Sequence, residues 1–100
     1  MMQFDVGDII GNANICQIRI DAVQNSTLIE ATIISCSDFY SIKRLSGENH
    51  CSQGFSLDEK LKFQKLESNC PHWTIIEPKN KIWFVLYFSS DGKPRFEYYR

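Results

Sequence analysis

The chain has 100 residues, of which 43% are hydrophobic and 13% aromatic, and its formal net charge is only −1. These values exclude an intrinsically disordered chain and predict a single domain, residues 1–100, that buries somewhat over ~60% of its unfolded surface. A nucleic-acid-binding domain normally carries a surplus of basic residues, so the balanced charge argues against that class.

We expect the protein to reside in the cytoplasm. The segment Met1–Asp5 lacks the basic residues of a signal peptide, and the apolar run Ile82–Phe88 is shorter than the ~20 residues that span a bilayer. A secreted chain with four cysteines has three possible pairings, but a reducing compartment favours four free thiols. The cysteines are Cys16, Cys36, Cys51 and Cys70. The first two lie in apolar runs, where a cysteine behaves as a small hydrophobic residue.

The N-terminal third predicts a β-hairpin. Apolar and polar residues alternate over 15–23, residues 24–26 form a polar turn, and residues 27–35 are rich in β-branched side chains. Phe4–Ile10 is a candidate neighbouring strand, followed by a turn at Gly11–Asn14.

The middle of the chain leaves two interpretations open. Phe39–Leu45 is too short to assign, and Ser46–Gly54 reads as a polar loop. Ser56–Glu59 matches a helix capping box and favours a helix that continues to about Ser68. The alternation of Leu61 and Phe63 with polar residues fits a strand instead.

The last thirty residues predict three strands. They are Trp73–Ile76, Ile82–Phe88 and Arg95–Arg100, with Pro94 at the start of the last one. The second is apolar on both faces, which predicts a central strand covered on both sides. Asp91 and Gly92 supply the turn before the last strand.

The predicted fold class is therefore mainly β or α+β. We expect an antiparallel sheet, either a sandwich or a strongly curved sheet, with at most one or two short helices.

Candidate metal and catalytic residues are few. Residues of zinc-binding type are His50, Cys51, Cys70 and His72. They lack the tight paired spacing of structural zinc sites, so no metal or other cofactor is predicted. We find no nucleophile motif, phosphate-binding loop or tight carboxylate cluster, and we predict no catalytic residue.

The stretch from Trp83 to Tyr98, WFVLYFSSDGKPRFEY, resembles the closing hairpin of many small bacterial immunity proteins. In those proteins a Trp-led strand, a D-G-K turn and a strand carrying F-x-Y end the chain. They belong to contact-dependent growth inhibition and other polymorphic toxin systems. The resemblance implies a cytoplasmic protein that binds a cognate toxin, and it implies no catalytic residue.

The leading hypothesis is thus a non-enzymatic immunity or inhibitor protein that binds and neutralises a cognate toxin in the cytoplasm. Nucleases are among the candidate toxins. Residues 1–50 carry a net charge of −3, and acidic residues speed the capture of a basic toxin. The predicted partner-binding residues are Asp21, Glu30, Asp38 and Glu48.

Two alternatives come from other classes. A single-stranded nucleic-acid-binding module would use the basic aromatic segment Lys93–Arg100, whose composition suits base stacking and phosphate contacts. A small metal- or thiol-dependent enzyme would use Cys51 or Cys70.

Overall fold

The fold is a single antiparallel sheet of seven strands in the order β1-β2-β3-β4-β5-β6-β7. The computed structural model describes residues 3–14, 16–36, 55–65, 67, 69–79 and 84–98. The strands are β1 (Ile9–Asn12), β2 (Cys16–Asn25), β3 (Leu28–Cys36), β4 (Lys60–Gln64), β5 (His72–Glu77), β6 (Phe84–Phe88) and β7 (Pro94–Tyr98). The sheet curves until β1 lies beside β7, forming a nearly closed barrel. The prediction of a mainly β fold with a strongly curved antiparallel sheet is confirmed.

The predicted N-terminal hairpin is β2 and β3. Each strand ends slightly beyond its predicted limit, at Asn25 and at Cys36, and the turn lies at Ser26–Thr27 rather than at 24–26. The predicted first strand also shifts, because β1 begins at Ile9 and includes Gly11. Gly11 has a φ of 113°, and a Cβ there would collide with the carbonyl oxygen of Cys16 on β2. Only glycine permits this close pairing.

The helix favoured for 56–68 is wrong, because this segment contains strand β4. The amide of Ser56 donates to the Glu59 carboxylate at 2.9 Å, as half of a capping box would. Asp58 nevertheless has a φ of 67°, which a helix does not accommodate. Its amide donates to the carbonyl of Ile33, so β3 binds the segment as a neighbouring strand. The alternation at Leu61 and Phe63 was the correct signal, since both side chains are buried.

The three C-terminal strands are confirmed within the described residues. Pro94 begins β7, and the turn before it is closed by a 2.9 Å hydrogen bond from the Gly92 amide to the Ser89 carbonyl. Phe84 and Leu86 of β6 lie in the core, whereas Val85 points to the other face and is only 6% exposed. β6 has a paired strand on each side, β5 and β7, but Tyr87 on its outer face is only half-buried, so the predicted cover on both faces is limited to Val85.

The core fills the inside of the curved sheet with aliphatic and aromatic side chains. Near one end, Phe4 stacks on Phe88 with centroids 4.3 Å apart and meets Trp73 edge-on at 4.9 Å. Farther along, Phe96 stacks on Phe84 at 5.2 Å. A continuous core of this kind holds the outer face of the sheet rigidly in place.

The expectation of four free thiols is wrong for one pair of cysteines. Cys16 and Cys36 face each other at the start of β2 and the end of β3, and they form a disulfide. Cross-strand register, which sequence spacing does not reveal, brings them together across 20 positions. Cys70 is a free thiol, and Cys51 lies outside the described residues.

Candidate functional site

Two of the predicted partner-binding residues lie together on the outer face of strands β2–β5. We call this surface the charged face. It consists of Arg19, Asp21, Glu30, Thr32, Lys60, Lys62 and Glu77. These side chains alternate with buried ones such as Ile20, Ala31 and Leu61, so the pleat of the sheet places them outside.

A bulge in β2 determines which residues the Asp21 side chain contacts. Ile20 pairs with Ala31 and Ala22 pairs with Glu30, which leaves Asp21 as an extra residue between two ladder positions. In a regular ladder Asp21 would stand directly opposite Glu30, and like charges in that position repel each other. The bulge instead directs Asp21 toward Arg19 and Thr32.

Asp21 is the centre of a hydrogen-bonded network. It accepts a bond from Arg19 Nε at 3.1 Å and another from the hydroxyl of Thr32, which in turn accepts from Lys60 Nζ at 3.0 Å. Thr32 is only 1% exposed although it lies on the outer face, so the charged side chains cover it. Each polar group of this network thus has a partner, which makes it a rigid part of the surface.

The network also sets the ionisation of Asp21. Burial alone would raise the pKa of its carboxyl. The hydrogen bonds from Thr32 and Arg19 and the positive charges of Arg19 and Lys60 outweigh that effect, so the pKa lies below its ordinary value of 3.8. Asp21 is therefore a fixed anion at neutral pH.

A second row of charges crosses the sheet next to this network. Glu30 of β3 stands opposite Lys62 of β4, which stands opposite Glu77 of β5. Lys62 Nζ lies 3.8 Å from the Glu77 carboxylate, and the Glu30 carboxylate accepts a hydrogen bond from Gln24. Because Ala22 is small, the surface between the two rows forms a shallow cleft of about 400 Å³.

The charged face carries both signs of charge. Its cations are Arg19, Lys60 and Lys62, and its anions are Asp21, Glu30 and Glu77. Sequence reasoning missed Lys60 and Lys62 because they lie in the segment interpreted as a helix. It missed Glu77 because the predicted acidic surface comprises residues of the first half of the chain alone. The alternation of the two lysines with buried Leu61 and Phe63 was the signal that places them on the same face as Glu30.

The remaining candidate residues lie either outside the described residues or away from the charged face. Asp38, Glu48, His50 and Cys51 lie outside the described residues. Cys70 Sγ lies 3.5 Å from the carbonyl oxygen of His72. Within the described ranges, no three His, Cys, Asp or Glu side chains are grouped as a metal site requires.

The basic aromatic segment is also engaged in the fold. Phe96 is buried in the core, where it has no face for a nucleic-acid base. Arg95 forms a 3.0 Å ion pair with Asp91 of the preceding turn. Across the sheet, Tyr87 donates a 2.6 Å hydrogen bond to Glu97, and this bond raises the pKa of the tyrosine. Among the described side chains of this segment, Arg95, Phe96 and Glu97 thus serve a turn contact, core packing and a cross-strand contact, respectively.

No family model matches the sequence, and neither a curated protein nor a solved structure matches it. In the part of the chain that the structure describes, no helix is long and apolar enough to cross a membrane.

Proposed function

We propose that this protein is a non-enzymatic immunity or inhibitor protein of a contact-dependent growth inhibition or other polymorphic toxin system. It would bind its cognate toxin and block it. The observation that carries this proposal is the charged face, an ordered array of both charges held on a rigid sheet. The resemblance of residues 83–98 to the closing hairpin of immunity proteins supports the same function.

The physical requirements of an inhibitor fit the charged face. Interfaces that move little on binding lose little conformational entropy, and the continuous core and the Asp21 network both restrain this surface. Complementary charges speed diffusional capture and select the correct partner. A toxin with a complementary charged surface is therefore the partner that we propose.

The decisive experiment is co-expression with the toxin domain encoded by the adjacent reading frame. We expect the protein to restore growth and to co-purify with that domain as a stoichiometric complex. Titration of the purified toxin should show complete neutralisation only at an equimolar amount. Neutralisation by a small fraction of an equivalent would indicate an enzyme, and the absence of both rescue and complex would contradict the proposal.

From the charged face we predict how charge reversal changes the association rate of that complex. Glu30→Lys and Glu77→Lys together should slow association severalfold at low ionic strength, because both carboxylates lie at the surface of the cleft. Asp21 is unsuitable for this test because its substitution breaks the network with Thr32. The difference should shrink near 1 M salt, where the screening length is about 3 Å.

Glu67→Lys is the matched control, since Glu67 is exposed and lies outside the charged face. This variant changes charge by the same amount per site. Because the control reverses one charge instead of two, a general charge effect would slow it by half as much on a logarithmic scale, and such a slowing would place the interface elsewhere.

The proposed compartment is the cytoplasm of the producing cell. The Cys16–Cys36 disulfide makes this proposal testable, because cytosolic reductants keep most thiols reduced. Cell fractionation with alkylation of free thiols at lysis tests both points. A protein recovered from the periplasm would contradict the cytoplasmic assignment.

A further inference from the structure

We infer that the charged face docks a helix of the partner that presents a cation, an anion and a second cation along one side. This inference rests on the proposed function and specifies the partner's chemistry. It starts from the order of charges across the sheet, which is Glu30, Lys62 and Glu77 on three adjacent strands. A complementary surface must carry the opposite order of signs.

Spacing selects a helix over an extended segment. Neighbouring strands lie about 4.8 Å apart, so the backbone positions of the three residues span about 9.6 Å. Helix positions i, i+4 and i+7 share one side and span about 10.5 Å, at 1.5 Å per residue. Same-side positions i, i+2 and i+4 of a strand span about 13 Å. The span of the three helix positions therefore differs from the span of the row by about 1 Å, whereas the span of the extended segment differs by more than about 3 Å.

The three charges are available for exchange with a partner. The side chains of Lys62 and Glu77 are 43% and 63% exposed, and their 3.8 Å ion pair is of the exposed kind that contributes little stability. Among the described residues, Glu30 accepts a bond from Gln24 but has no ion pair. A partner lysine or arginine can thus contact Glu30 without breaking an internal ion pair.

The neighbouring network supplies the rigid side of the same site. Asp21 is already bonded by Arg19 and Thr32, so it does not compete for the partner's cations. The small side chain of Ala22 leaves room in the cleft for the aliphatic part of a lysine or arginine. On a convex sheet a straight helix contacts only a few strands, which agrees with a row of three charges.

Three designed alanine-based helical peptides test this inference. The first peptide has Lys, Glu and Lys at positions i, i+4 and i+7, and the second has Glu, Lys and Glu at the same positions. The third has the two lysines and the glutamate of the first peptide, placed on different sides of the helix. Each peptide is titrated into the ¹⁵N-labelled protein at low salt, and amide shifts are mapped by NMR. We expect the first peptide to shift residues of β2–β5 and to bind about tenfold more tightly than the other two.

A charge-swapped variant provides the reciprocal test. Glu30→Lys, Lys62→Glu and Glu77→Lys together should invert the preference between the first two peptides. Should that variant fail to fold, as judged by circular dichroism, the wild-type comparison still decides. Equal binding of all three peptides, shifts outside β2–β5, or no saturable binding of the first peptide at millimolar concentration would overturn the inference.

This test and the co-expression experiment fail independently. A toxin that co-purifies with the protein, combined with no peptide preference, would leave the proposed function intact and remove the helix as its ligand.

Discussion

Replacing Thr32 by valine tests whether the covered network on the outer face stabilises the fold. Valine keeps the β-branched shape but removes the hydroxyl that donates to Asp21 and accepts from Lys60. Because Thr32 is 1% exposed, water does not replace the lost hydroxyl easily. We expect the variant to fold and to be less stable than the wild type.

The magnitude follows from the exposure of Asp21. A hydrogen bond to a charged group contributes about 1.5–3 kcal/mol when it is well buried. The Asp21 side chain is 31% exposed, so solvent screening reduces this value, and we expect a loss of about 1 kcal/mol. For a domain of this size, that loss lowers the melting temperature by about 5 °C.

The assay is thermal and urea denaturation of Thr32→Val, Asp21→Ala and the double variant at pH 7. A double-mutant cycle should give a coupling free energy of about 1 kcal/mol between the two positions. Since the fold lowers the pKa of Asp21, its contribution is full above the ordinary value of 3.8 and is lost as the pH falls through the lowered value. The effect of Thr32→Val should therefore decrease in acid. A coupling energy near zero at pH 7 would refute the argument.

Three further predictions concern the fold. Tryptic digestion without reduction should release a species in which the two peptides that hold the β2–β3 disulfide remain joined, and separate alkylated peptides would contradict it. Phe63→Ala should cost about 3–5 kcal/mol in urea denaturation and Gln64→Ala less than about 0.5, whereas similar costs would disprove the register of β4. Glu97→Gln should lower the pKa of Tyr87, because this variant lacks the carboxylate that accepts a hydrogen bond from the tyrosine hydroxyl. Ultraviolet titration measures this pKa. An unchanged titration would exclude that bond.

The parts of the fold that sequence predicts well are those governed by local chemistry. The alternation of apolar and polar residues predicts β2, and the Asp91–Gly92 turn followed by Pro94 predicts the last hairpin. The segment from Ser56 to Gln64 was misjudged because a real local preference, the hydrogen bond between Ser56 and Glu59, opposed the pairing with β3. Strand pairing depends on residues distant in sequence, and here it prevailed over the capping motif.

The candidate site was only partly predictable for a related reason. Asp21 and Glu30 were selected because acidic residues are frequent in the first half of the chain. Their actual roles depend on a bulge in β2 and on lysines contributed by β4. Neither register nor bulge position can be read from one sequence, so the mixed character of the charged face was not predicted. The Cys16–Cys36 pair was missed for the same cause.

The sheet order has a consequence for the rate and route of folding. Each described ladder joins strands that follow one another along the chain, and apart from β3–β4 the connections between paired strands are short. All-β proteins usually fold slowly because their pairings are distant in sequence, and the short hairpin connections of this sheet reduce that entropic cost. The exceptions are the β3–β4 ladder, which pairs residues 28 to 36 positions apart, and the approach of β1 to β7, which connects the two ends of the sheet. We therefore expect hairpins to form first and the barrel to close last, with a folding rate above that of β-sandwiches of equal length.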